Sequence, residues 1–327
     1  MKLKRIGLVA IAAGAVILSG CSAPSESNDS GQKLVLYSSE STMPEFAKRF
    51  EQEKGISVEV VEVSSGQSDA RVSAEKDNPQ ADVAISGSYP SDDHPELYRA
   101  FEGAVDVSNV DERYLHDDYG IPTIVNPVVF AYNNDVLDGR AAPTSWEDLG
   151  DPKWKGEISI ADPTQSGSAF NALAAVYASG GWDLVKKFAA NVVIAQSSLG
   201  PIQALSNGEA AIGIGAENSV YQVADGTDIV AAYPEDGIIV NVGMFYLIAD
   251  SSNQEAADTF MNWMLSSDTQ TWMQSEHKGM RSSTTDSTDP EGVPGVSSMN
   301  IIDVPDDVTD DKSSFLDEWT SILTSVN

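Results

Sequence analysis

Short apolar runs alternate with segments of helical periodicity along most of this 327-residue chain. The run Leu34–Tyr37, for example, is followed by Met43, Phe46 and Phe50, whose spacing places them on one helix face. Further apolar runs of strand length lie at 57–63, 81–85, 128–132, 158–161, 192–195, 211–215, 229–233 and 242–249. Strands that alternate with helices in this way predict an α/β fold with parallel strands.

Small polar residues follow each of the first three predicted strands. Ser39 and Glu40 follow the first strand, Ser65 follows the second, and Ser88 follows the third. The carboxyl ends of parallel strands share one edge of a sheet, and open α/β folds bind their ligands at that edge. The sequence therefore predicts that these small polar residues belong to one ligand site.

A serine-glycine turn joins the predicted strand at 158–161 to a helix. Ser166, Gly167 and Ser168 open that helix, where unpaired backbone N–H groups and the positive end of the helix dipole are exposed. Small residues let an anion approach those groups, and the serine hydroxyls add donors. Ser198 stands just before a second predicted helix start. An ordinary serine-capped helix fits the same residues, so this pattern alone leaves both interpretations open.

The N-terminus predicts export and anchoring. A basic segment followed by apolar and glycine residues at 6–18 is typical of a secretory signal peptide and too short to span a bilayer. The segment ends in Leu-Ser-Gly-Cys21, which resembles the cleavage and lipidation motif of bacterial lipoproteins. We predict a signal peptide at 1–20, a lipidated Cys21 and a flexible tether over 21–32, which would make the protein extracytoplasmic and lipid-anchored to the cell membrane. A plain signal peptide with an incidental cysteine is the alternative.

Charge and cysteine content exclude several classes of function. The 19 Lys and Arg face 50 Asp and Glu, and the formal net charge of −31 argues against a nucleic-acid partner. Such acidity fits an exported, self-repelling surface, or attraction of a cationic solute. Cys21 is the only cysteine, and no histidine lies beside a serine and a carboxylate at a spacing typical of catalysis. We predict a binding protein without catalytic activity, cofactor or metal.

Several motifs from residue 143 onward together resemble a known family. They lie at Pro143–Leu149, Asp151–Gly156, Ala161–Ser168, Asn207–Gly215 and Gly279–Ser282. In this combination they resemble the solute-binding lipoproteins of ABC importers, extracellular solute-binding protein family 1. The similarity covers nearly the whole chain after the predicted tether. It points to the branch that binds ferric iron, 2-aminoethylphosphonate or hexose phosphates, without distinguishing among these ligands.

The resemblance implies a type II periplasmic-binding-protein fold, in which two α/β lobes joined by a two-segment hinge close on a ligand. The hinge segments would lie near 127–132 and 240–245. The first lobe would comprise 33–126 together with 246–327, including the C-terminal helix, and the second lobe 127–245. The family also implies an ABC permease and ATPase as partners of a monomeric binding protein.

The same resemblance suggests roles for the site residues. In related proteins, the turn that corresponds to 166–168 holds a phosphoryl group or the anion that accompanies iron. Here the anionic group of a small phosphonate or phosphate ester would contact Ser166, Gly167, Ser168 and Ser198, with Ser39, Ser65 and Ser88 meeting it from the first lobe. Glu40 or Glu217 would receive an amine, which makes 2-aminoethylphosphonate the favoured example.

Ferric iron and a polyamine or other cation are the alternative ligands. Iron-binding members carry two adjacent tyrosines after the strand that corresponds to 211–215, whereas here only Tyr221 follows it. A ferric site also needs several anionic or imidazole ligands, and His94, His116 and His277 lie at no predicted strand end. The sequence therefore favours a small anion over iron and leaves a cation open.

Overall fold

The computed structural model describes residues 33–86, 90–224 and 226–326. Strands β1–β11 comprise Lys33–Ser38, Ser57–Glu62, Val83–Ser86, Tyr98–Arg99, Gly120–Asn133, Ile158–Ala161, Val192–Ala195, Ile212–Ala216, Ile229–Ala232, Val240–Ile248 and Arg281–Ser282. Helices α1–α11 comprise Met43–Lys54, Ser65–Ala74, Pro90–Asp93, Asn134–Leu137, Gly167–Ala189, Gly200–Ser206, Glu217–Ala224, Gln254–Met264, Ser267–Glu276, Asp306–Asp310 and Lys312–Val326. Within these ranges, no helix is long and apolar enough to cross a membrane.

The first strands form the parallel sheet that the sequence predicts. β1 lies between β2 and β3 and is parallel to both, with Leu34 beside Val58 and Leu36 beside Val83. The apolar face of α1 is buried in the same hydrophobic cluster as β1 and β3. The carboxyl ends of the three strands therefore lie at one edge, where the predicted polar residues follow them.

Two long antiparallel strands, β5 and β10, connect this sheet to a second group of strands. Residues 120–127 of β5 pair with β10, whereas residues 128–133 pair with β8 and β9. In the second group, β6 is parallel to β7 and β8. The strand order β2-β1-β3-β10-β5-β8-β6-β7 thus passes from one group to the other within β5. The positions of the two lobe boundaries remain a prediction.

The C-terminal helix α11 packs against the second group of strands. Phe315 contacts Phe170 and Trp182 of α5, with ring centroids 6.1 and 5.1 Å apart. Phe315 and Trp319 are buried in the hydrophobic cluster that contains β6, β8 and α5. We therefore place α11 with the second group, in contrast to the predicted grouping of 246–327 with the first lobe. Periodicity shows which face of a helix is buried, but not which element covers it.

Candidate functional site

A cavity lies where strands of both groups end, and its inner part has a volume of about 150 Å³. Seven predicted ligand residues line this inner part: Ser39, Glu40, Ser65, Ser166, Gly167, Ser168 and Ser198. The structure thus brings together residues from both halves of the chain, as the sequence predicts. A wider outer part of about 580 Å³ continues from it and adds Asp162 and Gln203. Ser88 and Cys21 lie outside the described residues, so their roles remain predictions.

A tight turn after β6 builds the start of α5. The carbonyl oxygen of Asp162 accepts the N–H of Ser166 at 3.0 Å, and Ser166 then occupies the N-cap with extended backbone. Its Oγ accepts the N–H of Ala169 at 3.5 Å. The N–H groups of Gly167 and Ser168 have no acceptor among the described residues, as is usual in the first turn of a helix. Two backbone donors are therefore available to a ligand in the cavity.

Three serine hydroxyls are linked at this helix start. Ser198 donates a hydrogen bond to Ser166 Oγ at 3.1 Å, and the Oγ atoms of Ser166 and Ser168 are hydrogen-bonded at 3.2 Å. Gly167 leaves the backbone accessible, and Asn241 of β10 lies close by: a Cβ at Gly167 would be 3.7 Å from Asn241 Oδ1. Because hydroxyl hydrogens rotate, each serine can turn to donate to a bound oxyanion.

A second helix start faces the cavity from the first group of strands. Ser64 caps α2, since its Oγ accepts the N–H of Gln67 at 3.3 Å and Gln67 Oε1 accepts the N–H of Ser64 at 3.0 Å. This capping box leaves the first amides of α2, at Ser65 and Gly66, without an acceptor in the described structure. Helices from both groups thus direct free donors and positive dipole ends to one small volume.

Glu40 carries the only charge among the described residues of the inner lining. Ser38 Oγ accepts the backbone N–H of Glu40 at 3.0 Å, which holds the turn after β1. The Glu40 carboxylate is half-buried and has no hydrogen-bond or ion-pair partner in the described part of the chain. Burial raises the pKa of Glu40 above its usual range, because the charged form loses solvation. A cationic group on a solute would compensate for that loss.

Glu217 lies outside the inner lining, which corrects the prediction that it could receive an amine. Its carboxylate is buried and accepts hydrogen bonds from Arg281 Nε at 2.7 Å and Nη2 at 2.9 Å. The Tyr233 hydroxyl also donates to it, and burial together with this negative charge raises the pKa of Tyr233. Because Arg281 already balances its charge, Glu217 is not a candidate ligand residue.

Seven polar residues of the inner lining were not among the predicted ligand residues: Ser41, Ser64, Ser86, Gln165, Asn218, Ser219 and Asn241. Asn218 and Ser219 begin α7 directly after β8, so a strand end followed by polar residues could have identified them. Asn241 lies inside β10, opposite Asn126 of β5, and no turn or helix start marks it in the sequence. Asn241 thus extends the site to β10, one of the two strands that connect the groups.

A tyrosine pair exists in space, although the two residues are not adjacent in sequence. The hydroxyls of Tyr221 and Tyr233 are 3.0 Å apart, and neither side chain lines the inner cavity. Among the described residues, no group of three or more His, Cys, Asp or Glu could hold a metal ion.

Comparison with known proteins identifies the family. Residues 93–303 match the family described as bacterial extracellular solute-binding protein. The chain belongs to this family. A solute-binding protein of this kind is a component of an ABC transporter, works outside the cytoplasm, and has a small-molecule solute and an ABC permease as partners.

Relatives of the solute-binding protein differ in their named ligands. An uncharacterised protein of Haemophilus influenzae is 27% identical over 308 residues, covering 87% of each chain. A proposed 2-aminoethylphosphonate-binding periplasmic protein of Salmonella typhimurium is 26% identical over 238 residues, or 68% of each chain. The spermidine/putrescine-binding periplasmic protein of Escherichia coli is 27% identical over 177 residues, covering 49% of this chain and 50% of its own length.

Solved structures show that the solute-binding protein has the type II periplasmic-binding-protein fold. The periplasmic binding protein AfuA of Actinobacillus pleuropneumoniae, with fructose-6-phosphate bound, superimposes with a TM-score of 0.80 over 90% of this chain and 99% of AfuA. Iron-bound HitA of Pseudomonas aeruginosa gives a TM-score of 0.75 over 90% and 99%. At 24% and 21% identity, these two structures establish the fold and not the ligand.

Proposed function

We propose that this solute-binding protein captures a small zwitterion, with a phosphonate or phosphate ester at one end and an amine at the other. 2-Aminoethylphosphonate is the favoured example, and a relative from Salmonella typhimurium is named for it. The observation that carries the proposal is the inner cavity of about 150 Å³, where free helix amides and serine hydroxyls face the same space as one unpartnered carboxylate. After capture, the protein delivers the solute to its permease.

The oxyanion binds at the start of α5 without a cationic side chain. The amides of Gly167 and Ser168 and the hydroxyls of Ser166, Ser168 and Ser198 supply the donors. Each helix start also contributes roughly half a positive charge from the helix dipole. A hydrogen bond to a charged group contributes ~1.5–3 kcal/mol, so a few such bonds offset the desolvation of a small oxyanion.

The amine of the solute contacts Glu40. This carboxylate is half-buried and unpartnered, so an ammonium group would stabilise its charged form. A polyamine is the second candidate, because it too would be attracted to Glu40 and a related protein is named for spermidine and putrescine. The described inner lining, however, has one carboxylate and no aromatic ring for a ligand with several positive charges. The free amide and hydroxyl donors of the inner lining would contact the anionic group of a zwitterion, and a polyamine has no such group. We therefore favour the zwitterion.

Calorimetric titration of a Glu40→Gln variant tests this assignment. We expect 2-aminoethylphosphonate to bind the variant about tenfold more weakly, because losing one charge-assisted contact of ~1.5 kcal/mol changes Kd by that factor. Ethylphosphonate, which lacks the amine, should bind the variant at least as well as the wild type. Glu51→Gln, on the exposed face of α1, removes the same charge elsewhere and should leave both affinities unchanged.

Two outcomes would contradict the proposal. If the wild-type protein binds neither phosphonate, nor a phosphate ester, the anion site is wrong; tight binding of spermidine alone would then support the polyamine. If Glu40→Gln weakens both phosphonates equally, Glu40 does not receive the amine.

Lipid anchoring, a monomeric state and the lack of catalysis complete the proposal. Cys21 follows the predicted signal peptide and is the only cysteine of the chain. We expect mass spectrometry to find a mature N-terminus at Cys21 that carries a diacyl group, and Cys21→Ser to abolish both the cleavage at this residue and the lipid. Ser22→Ala should keep them. A wild-type protein with an unmodified N-terminus at another residue would contradict the anchor.

A further inference from the structure

A buried ion pair joins the two groups of strands beside the cavity. Arg281 and Glu217 expose 1% and 0% of their side chains, and the guanidinium contacts both carboxylate oxygens through Nε and Nη2. Two further donors of Arg281 are also engaged: Nη1 donates to Asp289 Oδ1 at 2.9 Å, and Nη2 donates to the carbonyl oxygen of Pro294 at 2.7 Å. The guanidinium is therefore held rigidly from several sides.

Arg281 and Glu217 belong to different groups of strands, and each lies next to a different half of β5. Arg281 of β11 pairs with Val125, in the half of β5 that belongs to the first group. Glu217 follows Ala216, which pairs with Val128, in the half that belongs to the second group. The ion pair thus links the groups next to β5, in addition to the main-chain connections.

Glu217 is also the first residue of α7, and the next two residues reach the cavity. Asn218 and Ser219 line the inner part, and Asn218 is buried. The segment before Arg281 packs on the same backbone: a Cβ at Gly279 would lie 3.0 Å from Asn218 Cα, and the φ of Gly279 is +84°. A side chain at residue 279 would therefore displace the start of α7.

We propose that Arg281 is a positioning residue for the solute site: by clamping Glu217, it holds Asn218 and Ser219 against the cavity. A buried ion pair contributes little net stability, because desolvation of both charges offsets their attraction. Its geometric effect is greater, since a site residue works only when its supporting contacts hold it to within a fraction of an ångström. Arg281 touches no solute in this arrangement and acts through Glu217. This inference rests on the proposed function only because 2-aminoethylphosphonate is the solute used to test it.

Two variants separate positioning from simple stabilisation. Arg281→Lys keeps the positive charge and loses the fork that contacts both oxygens. The double variant Arg281→Met/Glu217→Gln removes both buried charges, so that no unpaired buried charge remains to unfold the protein. Asp289 also loses its contact with Arg281, but its side chain is 39% exposed and stays solvated. Arg99→Lys is the matched control, because Arg99 forms an ion pair with Asp258 on β4 and α8, and neither residue lines the cavity.

Hydrogen exchange of the α7 backbone amides, measured without solute, is the first readout. We expect exchange to be faster in Arg281→Lys and in the double variant than in the wild type, and unchanged in Arg99→Lys. Calorimetry with 2-aminoethylphosphonate is the second readout. The Kd should rise about tenfold in both Arg281 variants, even where the double variant melts at the wild-type temperature, and by less than about twofold in Arg99→Lys.

Unchanged α7 exchange in both Arg281 variants would overturn the inference, as would wild-type affinity in the stable double variant. If the wild-type protein does not bind 2-aminoethylphosphonate, the proposed solute is wrong, and the exchange data alone decide the role of Arg281.

Discussion

Replacing Ser168 by aspartate is expected to weaken binding of 2-aminoethylphosphonate at least tenfold while the ligand-free protein stays fully folded. The new carboxylate would lie at the start of α5, where the helix dipole and free amides stabilise a negative charge by ~0.3–1 kcal/mol. The same charge would repel the phosphonate and compete for its donors. Each charge-assisted hydrogen bond lost costs ~1.5–3 kcal/mol, and ~1.4 kcal/mol already corresponds to a tenfold change in Kd.

Calorimetric titration of the wild type and the variant, together with melting curves without solute, measures both effects. Gln254→Asp provides the matched control, because it adds a carboxylate at the exposed start of α8, whose first residues do not line the cavity. This control should keep the wild-type affinity. Tighter or unchanged binding by Ser168→Asp would rule out an anion at this helix start and would favour a cationic solute.

Arg281→Met alone is expected to reduce the free energy of unfolding by about 3–5 kcal/mol, because it leaves the buried Glu217 carboxylate without a countercharge. The double variant Arg281→Met/Glu217→Gln should regain most of this loss, since neither buried charge remains. Urea-induced unfolding of the wild type, both single variants and the double variant measures these differences. The cycle also yields the coupling free energy between the two side chains.

The large loss of unfolding free energy expected for Arg281→Met depends on the burial of its ion pair, and an exposed ion pair should contribute much less. Arg113 and Asp111 form an exposed pair, with 64% and 23% of their side chains accessible. Arg113→Met should therefore change the free energy of unfolding by less than about 1 kcal/mol. If Arg281→Met lowers the free energy of unfolding by no more than Arg113→Met does, the role assigned to the buried pair is contradicted. The same holds if the double variant is no more stable than Arg281→Met.

Much of the candidate site could be predicted from the sequence, because its parts form locally. Ser65 and Ser166 stand where a strand ends and a helix begins, and these boundaries depend on residues a few positions away. The parallel order of β1, β2 and β3 then places such turns at one edge of a sheet. Alternation of strands and helices thus determined both the fold class and the edge at which the cavity lies.

Only the tertiary structure decided which of two neighbouring polar residues faces the cavity. Glu217 and Asn218 both follow β8, and nothing in the local sequence distinguishes their roles. Glu217 is withdrawn from the site by Arg281, which is 64 residues away in the chain, while Asn218 lines the cavity. Likewise, the hydroxyl contact between Tyr221 and Tyr233 depends on how α7 and β9 pack.

For the C-terminal helix, too, the sequence determined one property and the tertiary structure decided another. The spacing of Phe315 and Trp319 determined that α11 has one apolar face, and both residues are buried. The choice of α5 as the covering partner required tertiary structure, because the aromatic contacts with Phe170 and Trp182 join segments far apart in the chain. Local periodicity is encoded by neighbouring residues, whereas a packing partner is selected by shape and burial across the whole fold.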